Sequence, residues 1–378
     1  MLCNDLISLC IFLIRIYIVN NMKSKLIFCT LFDSNYLDKG LVLYRSLVET
    51  KCDFKLYILP MDEECKKIIS SYQYNNIVIL NYSDFISFFN LDKIVKTRSR
   101  GEFCWTCTPF LIKYVLSYYK EPISTYIDAD MYFYSDPSVL IDEMGNKTVQ
   151  IVPHRYNESL HGRESCKSSG TYCVQFNTFK NTSDSIELLT WWAEQCFKYC
   201  SSVSLKKSVF GDQGYLENWT NKNNVSVLSN YGGGVAPWNS AQYEFYNEDN
   251  DGIYLRNKKD KNSFRLVFYH YHNLSYLDSH TVNIGIYEPW KVDPQIVKRL
   301  YVDYLNKLDS VKNELNEKFG VYPLIKSHPA FTLNNTKKKN IFHKIKVLFS
   351  LFIPKNFYFK IIFRYKSHKY EHLNIIKF

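Results

Sequence analysis

No run in this sequence is long enough to cross a membrane comfortably. The most apolar stretch, Leu6–Val19, is interrupted by Arg15 and falls short of the roughly 20 residues that a spanning helix needs. No small-residue cleavage site follows it, which tells against a secretory signal peptide. Met22-Lys23-Ser24-Lys25 leads straight into a strand pattern. Met22 is therefore expected to be the true start, with residues 1–21 a non-native or weakly anchoring extension. The cysteines are equally uninformative as a framework. Of eleven, only Cys104 and Cys107 form a CxxC. No second pair stands at zinc-finger or ribbon spacing, and free, buried thiols in a reducing cytosol are expected. Net positive charge is missing from the main body. The net charge is +10, and residues 337–378 alone carry eleven Lys and Arg against one acid, Glu371. Residues 1–336 are thus neutral overall, which excludes a basic nucleic-acid groove across them. No internal repeat is apparent.

What is present fits one large α/β domain, residues 22–325, followed by a basic amphipathic tail, 326–378. In the tail, basic residues alternate with Ile, Phe, Leu and Tyr. That pattern suits an interfacial helix on an anionic membrane, a helix docked on the body, or a disordered end. Along the domain, Lys25–Phe32, Phe54–Leu59, Asn76–Leu80 and Ile123–Ile127 read as strands. Leu41–Val48, Glu63–Ser70 and Trp105–Tyr118 read as helices between them. Strand–helix alternation through the first 130 residues predicts a parallel sheet with helices on both faces. Later strands are predicted at Thr148–Val152, Thr171–Phe179, Asn224–Leu228 and Phe264–Tyr271. Helices are predicted at Ser183–Tyr199, with Trp191 and Trp192 on its buried side, and at Pro294–Asn316.

The central chemical signal is Tyr126-Ile127-Asp128-Ala129-Asp130-Met131-Tyr132-Phe133. An apolar strand delivers two carboxylates one residue apart. In extended backbone such positions point the same way. Two carboxylates on one side can hold a divalent ion, which can bridge a diphosphate and neutralise charge on a leaving nucleotide. Asp249-Asn250-Asp251 has the same spacing, but it lies in a polar run where Asp251-Gly252 reads as a hairpin turn. Asp128 and Asp130 differ by emerging at the carboxyl end of a core strand, where open α/β sheets bind ligands.

The wider pattern resembles a known family. Phe28-Cys29-Thr30-Leu31-Phe32-Asp33-Ser34-Asn35-Tyr36, with Gly40 and Leu43–Leu47, looks like the first strand and helix of GT-A glycosyltransferases. Within them it is similar to the glycosyltransferase family 8 and nucleotide-diphospho-sugar transferase group, whose bacterial members act in surface polysaccharide synthesis. Phe210–Leu216, Gly232–Asn239 and Phe268–Asn273 extend the likeness in the expected order, over roughly Lys25 to Leu305. The resemblance implies a GT-A (Rossmann-like) mixed sheet with helices on both faces. It implies a cytoplasmic hexosyltransferase, for which the tail would be the contact of a peripheral enzyme with the inner face of the cell membrane. Its donor would be a nucleotide sugar, UDP-linked, its acceptor a glycan or lipid-linked glycan, and its metal Mn²⁺ or Mg²⁺.

By the same resemblance Thr30, Phe32 and Tyr36 would line the nucleotide pocket, the aromatics stacking on the base or serving as core. Asp62 would bond the base or ribose, or cap the helix that follows it. Asp128, Ala129 and Asp130 would face the donor. His270 or His272, on one face of a late strand, would complete the metal site, a donor set that suits manganese. Asp212 and Gln213 would face acceptor or donor sugar, Asp212 as general base or as a helix N-cap. Arg98, Arg100 and Glu102 lie just before the Trp105 helix. Arg100 there would contact diphosphate or sugar oxygens, or belong to a solvated charged loop. The Gly232–Asn239 run reads as a loop touching donor or acceptor, with Trp238 as an aromatic face. Two departures stand out. The family 8 Lys-Pro-Trp after the histidine is missing, Tyr287-Glu288-Pro289-Trp290 being the nearest text. Cys173 and Gln175 occupy the stretch where Asn and Gly are usual. Two other classes compete: a nucleotidyltransferase or nucleotide-sugar hydrolase, and a non-catalytic glycan-binding protein. The first would show a Gly-rich basic loop after its first strand, where Asp33–Gly40 has one Gly and one Lys.

Overall fold

The computed structural model describes residues 25–202, 209–278, 281–286 and 291–321, and the backbone of 362–364 and 373–377. Residues 1–24, Tyr287–Trp290 and nearly all of the tail fall outside the described residues, and with them the expectations for the start site.

Strand β1 (Leu26–Phe32) is buried at every position. It has to be apolar on both sides because each side meets its own core. Leu26, Phe28 and Phe32 point into one apolar cluster with helices α1 (Leu37–Glu49) and α2 (Glu63–Ser71). Ile27, Cys29 and Leu31 point into the other, with α3 (Tyr82–Phe89) and α4 (Arg100–Ser117). The sheet is thus covered by helices on both faces, as the sequence implies. It adds β2 (Phe54–Pro60), β3 (Ile77–Ile79), β4 (Ile123–Ile127), β6 (Val149–Pro153), β7 (Tyr172–Lys180) and β8 (Val225–Val227), in the order β3-β2-β1-β4-β7-β6-β8. Strands β3, β2, β1 and β4 run parallel. The parallel half ends there, because β7 pairs antiparallel with both β4 and β6. The seven-stranded sheet is mixed.

Three local readings are corrected. Helix α4 begins at Arg100, a turn and more before Trp105. Ser99 accepts from the Glu102 amide while the Glu102 carboxylate reaches back to Ser99, a reciprocal cap that turns the charged segment into helix. Helix α6 (Ser183–Lys198), preceded by α5 (Leu160–Ser169), buries Trp192 completely but leaves Trp191 43% exposed. Neighbours on a helix stand about 100° apart, so both cannot face the core. The single strand expected over Phe264–Tyr271 is two. A hairpin of β9 (Tyr243–Asp249) and β10 (Gly252–Asn257) carries β11 (Ser263–Arg265) on its edge. The chain then crosses to β12 (Phe268–His270), which pairs antiparallel with β5 (Met131–Phe133). Asp249–Asp251 forms the exposed hairpin turn, with Asp249 accepting from the Asp251 and Gly252 amides.

A last helix, α7 (Asp303–Phe319), is reached through helical turns that begin at Pro294, and stops at Gly320 in the left-handed region, φ 67°. Of the tail, the described backbone is two short strands, and the three readings of the rest lie outside the described residues. Strands β15 (Ile362–Arg364) and β16 (Leu373–Lys377) pair with each other, and β16 pairs with β14 (Thr281–Asn283), itself paired with β13 (Ser275–Asp278). Among the described residues no helix is long and apolar enough to cross a membrane.

Candidate active site

Strand β4 ends at Ile127, and the next three residues turn rather than continue the strand. The Met131 amide donates to the Asp128 carbonyl at 3.3 Å. Asp128 and Asp130 therefore converge through a tight turn, not through the strand pleat that the spacing suggests. Register supplies the third group. β12 lies against β5 with His270 opposite Met131, and the Tyr271 amide donates to the Asp130 carbonyl at 2.8 Å. His270 Nε2 stands 3.0 Å from Asp130 Oδ1 and 3.6 Å from Asp128 Oδ2. One ligand atom from each of Asp128, Asp130 and His270 fits within 4.8 Å of the others.

The other ring nitrogen fixes the imidazole. His270 Nδ1 lies 2.8 Å from Gln175 Oε1, an atom that can only accept. Nδ1 therefore carries a proton, and Nε2 is left to the two carboxylates, hydrogen-bonded to Asp130 Oδ1 at 3.0 Å until an ion displaces its proton. That is the arrangement a metal-ligating histidine needs. Gln175 stands on β7 beside β4, and its carbonyl accepts the Asp128 amide at 3.3 Å. Electrostatics splits the acids. Burial pushes Asp128 up, with the His270 charge opposing and the Asp130 charge adding to the rise. Asp130 is buried too, but the charge and hydrogen bond of His270 hold it below the ordinary carboxylate range. The Asp128 side chain keeps 26% of its surface open while that of Asp130 keeps 11%, so the group opens on the Asp128 side. Two carboxylates and one oriented imidazole at these distances fit a divalent ion such as Mn²⁺.

Asp212 comes close to this group. It is 5% exposed and sits just before a short turn without making the side-chain cap bond of a helix start; the Gln213 amide and the Thr108 side chain meet its carboxyl instead. Burial, then the Asp128 charge, raises its pKa to about 8. Trp192 anchors the segment by donating Nε1 to the Asp212 carbonyl at 2.9 Å. Gln213 is turned elsewhere, its Nε2 donating to the Ser169 carbonyl at 2.6 Å.

His272 stays outside the three-residue group. Its ring packs edge-on to Trp238 and His270, each at 5.4 Å between centroids. His154 completes this wall, 5.2 Å from Trp238. Trp238 itself is 7% exposed and spends its indole N–H on the His154 carbonyl. It is thus a wall of the site more than an open sugar platform. The Gly232–Asn239 loop that carries it is pinned from both sides. Arg155 donates to the carbonyls of Leu228, Asn230 and Gly233, and the His270 amide donates to Val235.

The nucleotide-side residues separate into core and cluster. Phe32 is 4% exposed and lies flat against Gly40, where any Cβ would collide with its ring. It serves the core. Thr30 is fully buried and its Oγ1 has no partner. Tyr36 is half-buried, with Lys39 Nζ 4.3 Å from its ring centroid. Asp62 caps α2 by accepting the Cys65 amide at 2.8 Å, and it also takes Ser34 N at 3.0 Å, Ser34 Oγ at 2.9 Å and Arg100 Nη2 at 2.7 Å. Burial pushes it up, yet these donors hold it below its ordinary value. Arg100 also pairs with Asp33, so it bridges the ends of β1 and β2. Arg98 has a purely architectural role, donating to the carbonyls of Cys196, Phe197 and Cys200. Ala129, 7% exposed, lies between the two acids of the turn. Cys104 and Cys107 are free thiols on α4, as are the other described cysteines.

No protein-family model matches the sequence. The chain is 25% identical over 301 residues to the uncharacterized protein YfnF of Bacillus subtilis strain 168, spanning 78% of this chain and 96% of that one. It is 23% identical over 298 residues to YfnD of the same organism, spanning 77% and 91%. Among solved structures, the galactosyltransferase LgtC with donor and acceptor sugar analogues aligns at a TM-score of 0.46 and 15% identity, over 78% of this chain and 100% of that chain. Mouse xyloside xylosyltransferase 1 aligns at 0.42 and 10%, over 65% and 97%. At these scores the structural likenesses decide nothing about chemistry.

Proposed function

We propose that the protein is a metal-dependent glycosyltransferase of the GT-A type, moving a sugar from a UDP-sugar to a glycan or lipid-linked glycan acceptor. One observation carries the reading. Asp128, Asp130 and His270 converge at the carboxyl end of a central strand, and Gln175 orients the imidazole toward the two acids. A divalent ion held there would neutralise the charge that grows on a leaving diphosphate. Asp212 is poised for proton transfer. With a pKa of about 8 it is near the working pH, the condition for an efficient general acid or base. The Arg100, Asp33 and Asp62 cluster borders the nucleotide side, and the wall of His154, Trp238 and His272 borders the other.

Titration calorimetry with UDP, with and without Mn²⁺, tests the reading. Metal-dependent binding by the wild type that is lost in Asp128→Asn is expected. Absence of metal-dependent UDP binding sinks it. Incubation with a nucleotide-sugar panel, with and without glycan acceptors, then separates transfer from donor hydrolysis, since a hydrolase releases nucleotide at full rate without acceptor.

A further inference from the structure

Lys39 has no part in the reading above, yet it is one of the least ordinary residues of the fold. It lies in the first turns of α1 and is 5% exposed. Lysines are almost never this buried without a paired acid. Among the described residues Lys39 forms no ion pair. Its Nζ donates to the Leu274 carbonyl at 2.8 Å and rests 4.3 Å from the Tyr36 ring centroid. An ammonium has three N–H donors. The carbonyl and the ring face account for two directions. Its neighbour Asp38 is occupied, accepting the Lys39 amide at 2.8 Å and the Tyr276 hydroxyl at 3.0 Å. The Leu274 carbonyl that holds the ammonium lies four residues beyond His270, in the segment that leaves β12, and the Lys39 charge reaches Asp130, His270 and His272, so the ammonium faces the carboxylate–imidazole group.

A fixed cation, shielded from water and spent on no acid, attracts an anion far more strongly than a surface lysine does. We propose that Lys39 is the diphosphate-binding residue of this site, its ammonium meeting the donor's diphosphate from the α1 side. The inference rests on the nucleotide-sugar reading for its ligand, but not for its test. The competing role is a staple between α1 and the turn after β12. A staple predicts lost stability with diphosphate affinity unchanged.

The experiment titrates wild type, Lys39→Met and Lys39→Arg with inorganic diphosphate, UDP and uridine, all in Mg²⁺, alongside thermal melts. Lys39→Met is expected to weaken inorganic diphosphate and UDP by tenfold or more and to leave uridine within twofold. Lys39→Arg should retain most of the affinity. A wild type that binds inorganic diphosphate but not UDP removes the nucleotide reading and leaves Lys39 in place. Failure of the wild type to bind inorganic diphosphate, or equal binding by Lys39→Met, overturns the proposal. Should Lys39→Met not fold, the side-chain ¹⁵N signal that disappears in Lys39→Arg identifies Lys39. That signal must shift when diphosphate is added to the wild type, and an unmoved signal refutes the assignment.

Discussion

Replacing Asp212 by Asn should stabilise the protein and disable it at once. The carboxyl is 5% exposed, and burial with the Asp128 charge lifts its pKa from the ordinary 3.8 to about 8. Above 3.8 the unfolded chain gives up this proton while the folded chain keeps it. Folding stability therefore falls as pH climbs between those two values, and the loss is complete only above the folded pKa. Each pH unit in that window is worth about 1.4 kcal/mol. Between pH 5 and pH 8 the penalty grows by about 4 kcal/mol, allowing for incomplete ionisation near the upper value. The amide of Asn never ionises, so Asp212→Asn escapes the penalty. Urea unfolding of both proteins at pH 5 and pH 8, without metal, measures it. The advantage of the variant should widen with pH by roughly that amount, while sugar transfer drops by about 100-fold or more. A stability difference that is the same at both pH values means that Asp212 does not titrate in the folded protein as its surroundings dictate. Full activity in the variant removes its proton-transfer role.

Other expectations follow from the same geometry. Asp130→Asn should abolish transfer and metal-dependent UDP binding with a native melting profile, and normal turnover would overturn the metal assignment. Gln175→Leu removes the acceptor that holds His270 Nδ1, and Mn²⁺ affinity should fall by about 10- to 100-fold with the fold intact. An unchanged affinity would mean that the imidazole needs no such support. Burial raises Asp128, and Asp130 raises His270 against the effect of burial, so both hold protons that an ion must displace. Mn²⁺ affinity should accordingly rise with pH from 5.5 to 8, and a flat profile contradicts that picture. Reversing Lys337, Lys338 and Lys339 to Glu should release the chain from vesicles containing phosphatidylglycerol, each lost charge counting for about 1 kcal/mol. Undiminished binding refutes a membrane role for the tail.

The paired acids and His270 were legible because their signals are local: an apolar strand that ends in two carboxylates, and a late aromatic strand that carries imidazoles. The strand–helix alternation likewise exposed the sheet and its two helical faces. Direction was harder. Nothing in the text of β7 says that it runs against β4, since an apolar nine-residue strand reads the same in either sense. Helix α4 was misplaced because charges at Arg98, Arg100 and Glu102 resemble a loop. The Ser99-to-Glu102 spacing was the available signal, and it is a helix start. The roles of Gln175, His154 and Lys39 were hidden for a different reason. Each acts through a partner 84 or more residues away, His270, Trp238 and Leu274 in turn, and only pairing register brings them together.

That register also divides the crevice by charge. His154 and His272 are pushed down to about 3 and about 4, chiefly by burial, so both are neutral near pH 7. His270, packed against the same Trp238, is moved the other way by Asp130. Three imidazoles around one indole thus fall into two kinds, and the difference is set by one carboxylate at 3.0 Å. Charged groups run from Asp128 through His270 to Lys39, while the rings of Trp238, His154 and His272 present a neutral, half-apolar side. A ligand that suits both sides must be highly charged at one end and uncharged but hydroxyl-rich at the other. A sugar diphosphate has that character, whereas a polyanion would find no counter-charge on the Trp238 side and an apolar ligand would leave the charged groups desolvated and unpaired.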